Sequence, residues 1–126
     1  MNTRHFESCV AMHAGTVARF RPDVLIGSSF GGAVAVALLE RGLWKGPTLL
    51  LAQAAVLYRS SARLPENVRV LLVHAVQDSV VPIEHSRQLA RSGTAALVEL
   101  IECDDDHALS QLVSSGRLIE LVKSLT

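Results

Sequence analysis

Long apolar runs are missing from this sequence. The longest uncharged stretch, Val24 to Leu39, is interrupted by Gly27, Ser28, Ser29, Gly31 and Gly32 and falls short of the ~20 apolar residues a membrane span needs. The opening MNTRHFESC has no apolar segment of the kind a secretory signal carries, so a soluble protein without a signal peptide is expected. Cysteine is scarce. Cys9 and Cys103 lie far apart with no Cys-x-x-Cys or His-spaced partner, which excludes a zinc motif and a disulfide framework and predicts reduced thiols in a cytoplasmic protein. An excess of either charge is also absent, since twelve Lys and Arg balance twelve Asp and Glu. That balance supplies no basic field for nucleic acid or for an anionic membrane. A pI near 7.0 predicts an association-prone surface at neutral pH.

What is present describes one ordinary core. The 126 residues are 49% hydrophobic and 19% charged, the size and composition of a single domain over 1–126. From Arg4 to Phe20, apolar Phe6, Val10, Ala14, Val17 and Phe20 recur at helical spacing. After Pro22, the run Asp23 to Gly27 reads as a strand covered on both faces, and a Gly- and Ser-rich turn follows it. Phe30 to Arg41 is apolar all round and reads as a buried helix that Gly42 stops. Thr48 to Ala52 and the β-branched Val68 to Ala75 predict two further strands, joined by an ambiguous connection over 53–67 with room for a short helix. A helix from Pro82 to Arg91, a strand from Ala95 to Cys103 and a closing helix from His107 to Leu125 complete the pattern. Such alternation predicts an α/β fold of three layers: a mostly parallel sheet of about four strands flanked by helices.

The strongest local signal is Gly27-Ser28-Ser29-Phe30-Gly31, a Gly-x-Ser-x-Gly pattern between a predicted strand and a predicted helix. In a nucleophile elbow the central serine is held in a strained turn, and small residues two positions either side let strand and helix approach closely. The helix start beneath Ser29 would place a positive dipole end and the Phe30 N–H near a developing oxyanion. A plain packing turn or a weak phosphate cradle is the alternative on these five residues alone. No Lys stands in the turn, which excludes a Walker A loop, and Gly-x-Gly-x-x-Gly is absent. Two further candidates lie downstream. Asp78 follows the third strand in HAVQDSVVP, where a turn or helix cap would also use it, and His107 follows the fourth in CDDDHAL. The order Ser29, Asp78, His107, each after a different strand on one sheet edge, allows His107 to take the Ser29 proton while Asp78 orients the imidazole.

With these residues in place, the chain resembles the α/β-hydrolases, nearest to small, lidless serine esterases. GSSFGG resembles the elbow, HAVQDSVVP the acid loop with Ala75 where the pattern has Gly, and DDDHAL the histidine loop. The resemblance implies Ser29 as nucleophile, Asp78 as acid, His107 as base and the Phe30 amide as an oxyanion donor. It also implies an ester substrate and no cofactor, and the connection over 53–67, too short for a large lid, favours small or short-chain esters. The chain departs from the pattern in having one helix before the elbow where several strands are usual. The loop that supplies the second oxyanion N–H has no counterpart, and the first strand is left at an open edge. An open edge invites another chain, so a homodimer or larger homo-oligomer is expected. The rival reading is a non-catalytic half-hydrolase serving as a binding or assembly module.

Smaller expectations complete the survey. His74 is expected to be a satisfied buried imidazole, Gln53 an exposed loop amide, and Asp104 to Asp106 a solvated acidic turn without a metal. Trp44, Leu57 and Tyr58 are candidates for core, for an acyl pocket or for an oligomer contact.

Overall fold

A computed structural model describes residues 3–126. Helix α1 (Thr3–Phe20) leads into strand β1 (Leu25–Ser28), then α2 (Phe30–Glu40), β2 (Thr48–Leu51) and the single turn α3 (Ala55–Tyr58). β3 (Val70–Ala75), α4 (Ile83–Ser92), β4 (Val98–Cys103), α5 (Ser110–Ser114) and α6 (Arg117–Leu125) follow. The four strands form one parallel sheet in the order β1-β2-β3-β4, so every strand pairs with the next in sequence.

Period-two alternation divides the sheet's side chains between two cores. Leu50, Val70 and Leu72 face a layer that includes Val36, Leu39 and Leu89 of α2 and α4. Leu49, Leu51, Leu71, Val73 and Ala75 face the other way, onto Leu112 of α5 and Leu125 of α6. α2 is buried from Gly32 to Leu39, which is why it carries no polar stripe. α1 covers its outer side through Val10 and Val17 against Val34, Ala37 and Leu38.

Two expectations need correction. The closing helix does not run from 107 to 125: Gly116, at φ 79°, separates α5 from α6, and residues 107–109 belong to the preceding loop. A left-handed backbone cannot continue a right-handed helix, and glycine adopts it without a Cβ penalty. The fourth strand begins at Val98, because the Leu97 and Val98 amides bond back to the Thr94 carbonyl in a turn. β1 lies at the open edge of the sheet, as expected from the order of elements, with Ile26 46% exposed at its centre.

Candidate active site

The elbow is built by exclusion of side chains. A Cβ on Gly27 would sit 2.5 Å from the Gly31 carbonyl oxygen, and one on Gly32 would sit 2.6 Å from the Cβ of Gln53. Only glycine at both positions lets β1, α2 and the segment after β2 meet. Ser29 then takes φ 50° and ψ −112°, a conformation that costs a non-glycine residue about 1–3 kcal/mol. Its backbone is held from three sides. The Ser29 N–H donates to the Leu51 carbonyl, while its own carbonyl accepts from the Ala33 and Ala54 N–H groups. The Phe30 N–H opens α2 and, among the described residues, finds no backbone acceptor outside the helix. The Phe30 ring is fixed by Phe6 and Tyr58, at 6.0 and 5.4 Å between centroids, and by a stacked His5 at 5.7 Å.

Ser29, Asp78 and His107 come together at the carboxyl edge of the sheet. The Ser29 hydroxyl lies 3.0 Å from His107 Nε2, and His107 Nδ1 lies 2.7 Å from Asp78 Oδ2. The Asp78 side chain is fully enclosed, whereas the His107 side chain is 22% exposed. Asp78 Oδ1 accepts from the N–H groups of Val80 and Val81, both at 2.8 Å. Oδ2 accepts from His107 and also faces His74 Nε2 at 3.2 Å. Three N–H groups thus donate to the carboxylate, while the His74 ring N–H beside it donates to the Val81 carbonyl. Burial pushes the Asp78 carboxyl up, but the His107 ring N–H and the Val81 and Val80 amides outweigh it and hold it below 3.8. Asp78 is thus charged at neutral pH.

The loop carrying His107 is shaped by the acidic run. Asp105 accepts from the N–H groups of Gln111 and Leu112, and Asp106 from the N–H and hydroxyl of Ser110, so the two carboxylates cap α5. Anions belong at a helix start. Leu109, left-handed at φ 55° and buried, anchors the turn in the core under α5. Among the described residues no group of three or more His, Cys, Asp or Glu has the arrangement to hold a metal ion, and no helix is long and apolar enough to cross a membrane.

Gln53 is not the exposed amide expected of a loop. It is completely buried, because the segment after β2 turns under the elbow instead of running over the surface. His74 is buried and hydrogen-bonded as its place in β3 suggests. Ser86 was not among the candidates. Its signal was available, since it falls between Ile83 and Leu89 at three-residue spacing, a polar residue on the buried stripe of α4. Tyr58 packs on Phe6 at 5.1 Å and on Phe30, Trp44 reaches the core with its indole N–H on Thr48, and Leu57 is partly exposed.

Burial drives the His74 imidazole below its ordinary 6.5. The unfolded chain therefore binds a proton there that the folded chain refuses, and stability falls as pH drops below about 6.5. Asp78 adds a second loss in the same direction below about 3.8. Each group contributes at most about 1.4 kcal/mol per pH unit. Urea denaturation at pH 8, 6 and 5 is expected to show the first step as a falling midpoint, and equal midpoints at pH 8 and 5 would contradict it.

A parallel sheet with a strained serine between strand and helix, and an acid and a histidine after later strands, is the arrangement of the α/β-hydrolase fold. Solved structures agree. A protein from Agrobacterium vitis S4, provisionally described as a hydrolase, matches at a TM-score of 0.74 and 18% identity over 92% of this chain and 66% of its own. An α/β serine hydrolase homologue from Coxiella burnetii matches at 0.60 and 24% identity over 95% of this chain and 56% of its own. The esterase domain of a Rhodothermus marinus protein matches at 0.60 and 18% identity over 83% and 60%. The chain thus has the α/β-hydrolase fold and spans roughly three fifths of the length of these structures. No protein-family description and no curated protein matches the sequence.

Proposed function

We propose that the chain is a serine hydrolase acting on small or short-chain carboxylic esters. The observation that carries this reading is the continuous hydrogen-bonded line Ser29, His107, Asp78 at a strained elbow. His107 Nε2 takes the Ser29 proton as Oγ bonds to the ester carbonyl carbon. The collapsing intermediate expels the alcohol, which leaves with that proton. Water then attacks the acyl-serine with His107 again as base, releasing the acid and restoring Ser29. Asp78 stays ionised and holds the imidazole by its Nδ1–H. The Phe30 N–H, at the start of α2, donates to the oxyanion in this reading.

The small-substrate part of the reading rests on the short connection between β2 and β3, whose single helical turn α3 leaves no room for a large lid. The test is a fluorophosphonate probe followed by peptide mapping. Phosphonylation confined to Ser29 is expected, since a serine without a placed base reacts too slowly. A folded protein that stays unlabelled would favour the binding-module reading.

The open edge supports assembly. The N–H groups of Leu25 and Ser29 turn toward β2, so those of Ile26 and Ser28 turn outward beside the exposed Ile26 side chain. Two copies pairing along β1 would cover both. Light scattering is expected to give a mass above the 13.6 kDa of one chain, and Ile26→Lys is expected to return it to one chain. A monomeric wild type at micromolar concentration would refute the pairing.

A further inference from the structure

Behind Asp78 runs a line of buried polar groups that the reaction described above does not use. Gln53 and His74 are completely enclosed and Ser86 is 1% exposed, although polar side chains leave water at a cost unless each finds a partner. Every one does. Gln53 Oε1 accepts from the Ala55 N–H at 2.8 Å, and its Nε2 donates to Ser86 Oγ at 2.9 Å. Ser86 Oγ lies 2.6 Å from His74 Nδ1, and His74 Nε2 lies 2.8 Å from the Val81 carbonyl and 3.2 Å from Asp78 Oδ2.

The partners dictate the protons. His74 Nε2 faces only acceptors, a carbonyl and a carboxylate, so it carries hydrogen. Ser86 Oγ already accepts from Gln53, whose amide orientation is fixed because its oxygen must receive the Ala55 N–H. The serine hydroxyl therefore donates to His74 Nδ1, which must be bare. From Ala55 to the Val81 carbonyl every donor points the same way, and bonds aligned like this strengthen one another. The line begins beside the Ala54 amide that holds the Ser29 carbonyl and ends at Val81, whose N–H donates to the carboxylate that holds His107. It joins the two halves of the site through the protein interior.

We infer that His74 is a positioning residue for the acid: as a neutral Nε2–H imidazole, locked by Ser86 and Gln53, it holds the Val81 carbonyl, whose own residue's N–H donates to Asp78 Oδ1, and with its Nε2 3.2 Å from Oδ2 it fixes the carboxylate for His107. This rests on the proposed triad. A protonated His74 would bring a second donor to Ser86 and leave the serine hydroxyl without an acceptor, so the line admits the neutral ring only. The titratable groups facing it are Asp78 and His107 from the loops, His85 from α4 and Glu102 from β4, the last paired with Arg87.

Three measurements decide the matter. The first is a control: wild type must react with fluorophosphonate at Ser29, and failure there removes the triad reading and not the buried line. The second compares His74→Phe, which keeps a ring and loses the donor, with His74→Gln, whose amide nitrogen can reach the Nε2 position. His74→Phe is expected to lower kcat and the labelling rate about 10–100-fold with KM within about twofold, in keeping with the cost of removing a group that orients a reacting one. His74→Gln is expected to restore much of that loss. A folded His74→Phe protein that labels as fast as wild type overturns the inference, as does a loss that Gln does not recover. The third needs no variant: ¹⁵N-coupled NMR of the wild-type imidazoles is expected to show His74 as the neutral Nε2–H tautomer with a slowly exchanging proton at pH 7. A charged ring or an Nδ1–H tautomer would overturn the assignment even if both variants fail to fold.

Discussion

Alanine in place of Ser29 is expected to reduce p-nitrophenyl ester turnover by about 10⁴–10⁶-fold, because His107 and Asp78 have no other nucleophile to serve. The substitution removes only the hydroxyl, and the neighbours that hold the elbow bond to backbone groups, so the fold is expected to persist. Glycine at the same position separates the chemistry from the strain. Ser29→Gly is equally inactive, but at φ 50° and ψ −112° it relieves a conformation that alanine must still endure. Its melting temperature is expected to exceed that of Ser29→Ala by several degrees, corresponding to about 1 kcal/mol or more. Turnover above a tenth of wild type in either variant would remove Ser29 as nucleophile. Equal melting temperatures would remove the strain.

The second large effect is structural. Gly27→Ala puts a methyl group 2.5 Å from the Gly31 oxygen and 2.9 Å from the Gly32 Cα, and these are backbone atoms at the join of β1 and α2. Nothing flexible can give way. A destabilisation of about 3 kcal/mol or more is expected, at the upper end for overpacking, and a large part of the ~5–15 kcal/mol that holds a domain of this size folded. Gly31 belongs to the same five-residue motif, yet a Cβ there meets nothing within 4 Å. Gly31→Ala is expected to change stability by less than about 1 kcal/mol. Urea midpoints for the two variants give the contrast, and similar values would show that the close approach at Gly27 does not limit the fold.

The sequence made the alternation of strands and helices legible because the first three strands are short, mostly apolar runs set between turn-forming residues, and because the surface helices keep polar stripes. The proximity of Ser29, Asp78 and His107 followed from topology: residues that come just after parallel strands share one edge. The interior line was harder to read. Whether Gln53 lies on the surface or beneath the elbow depends on how close Gly32 lets it come, a distance of a few ångströms that no periodicity encodes. His74 could be placed inside from its strand, but its partner Ser86 lies on another element, and pairing between elements is a product of packing. The break at Gly116 was missed because the apolar spacing continues through it, and only the left-handed φ interrupts the helix.

The sheet order β1-β2-β3-β4 has a consequence for the way the chain matures. During synthesis each of β2, β3 and β4 emerges to pair with the strand before it, so this part of the sheet grows from one side as translation proceeds. The elbow can close early, once β2 supplies the Leu51 carbonyl and the Gln53 segment, and Asp78 arrives with β3. His107 comes last, after β4, in a loop that the capping of α5 shapes. On the proposed reading, the serine is in place before the histidine that would activate it, and reactivity waits for the addition of β4.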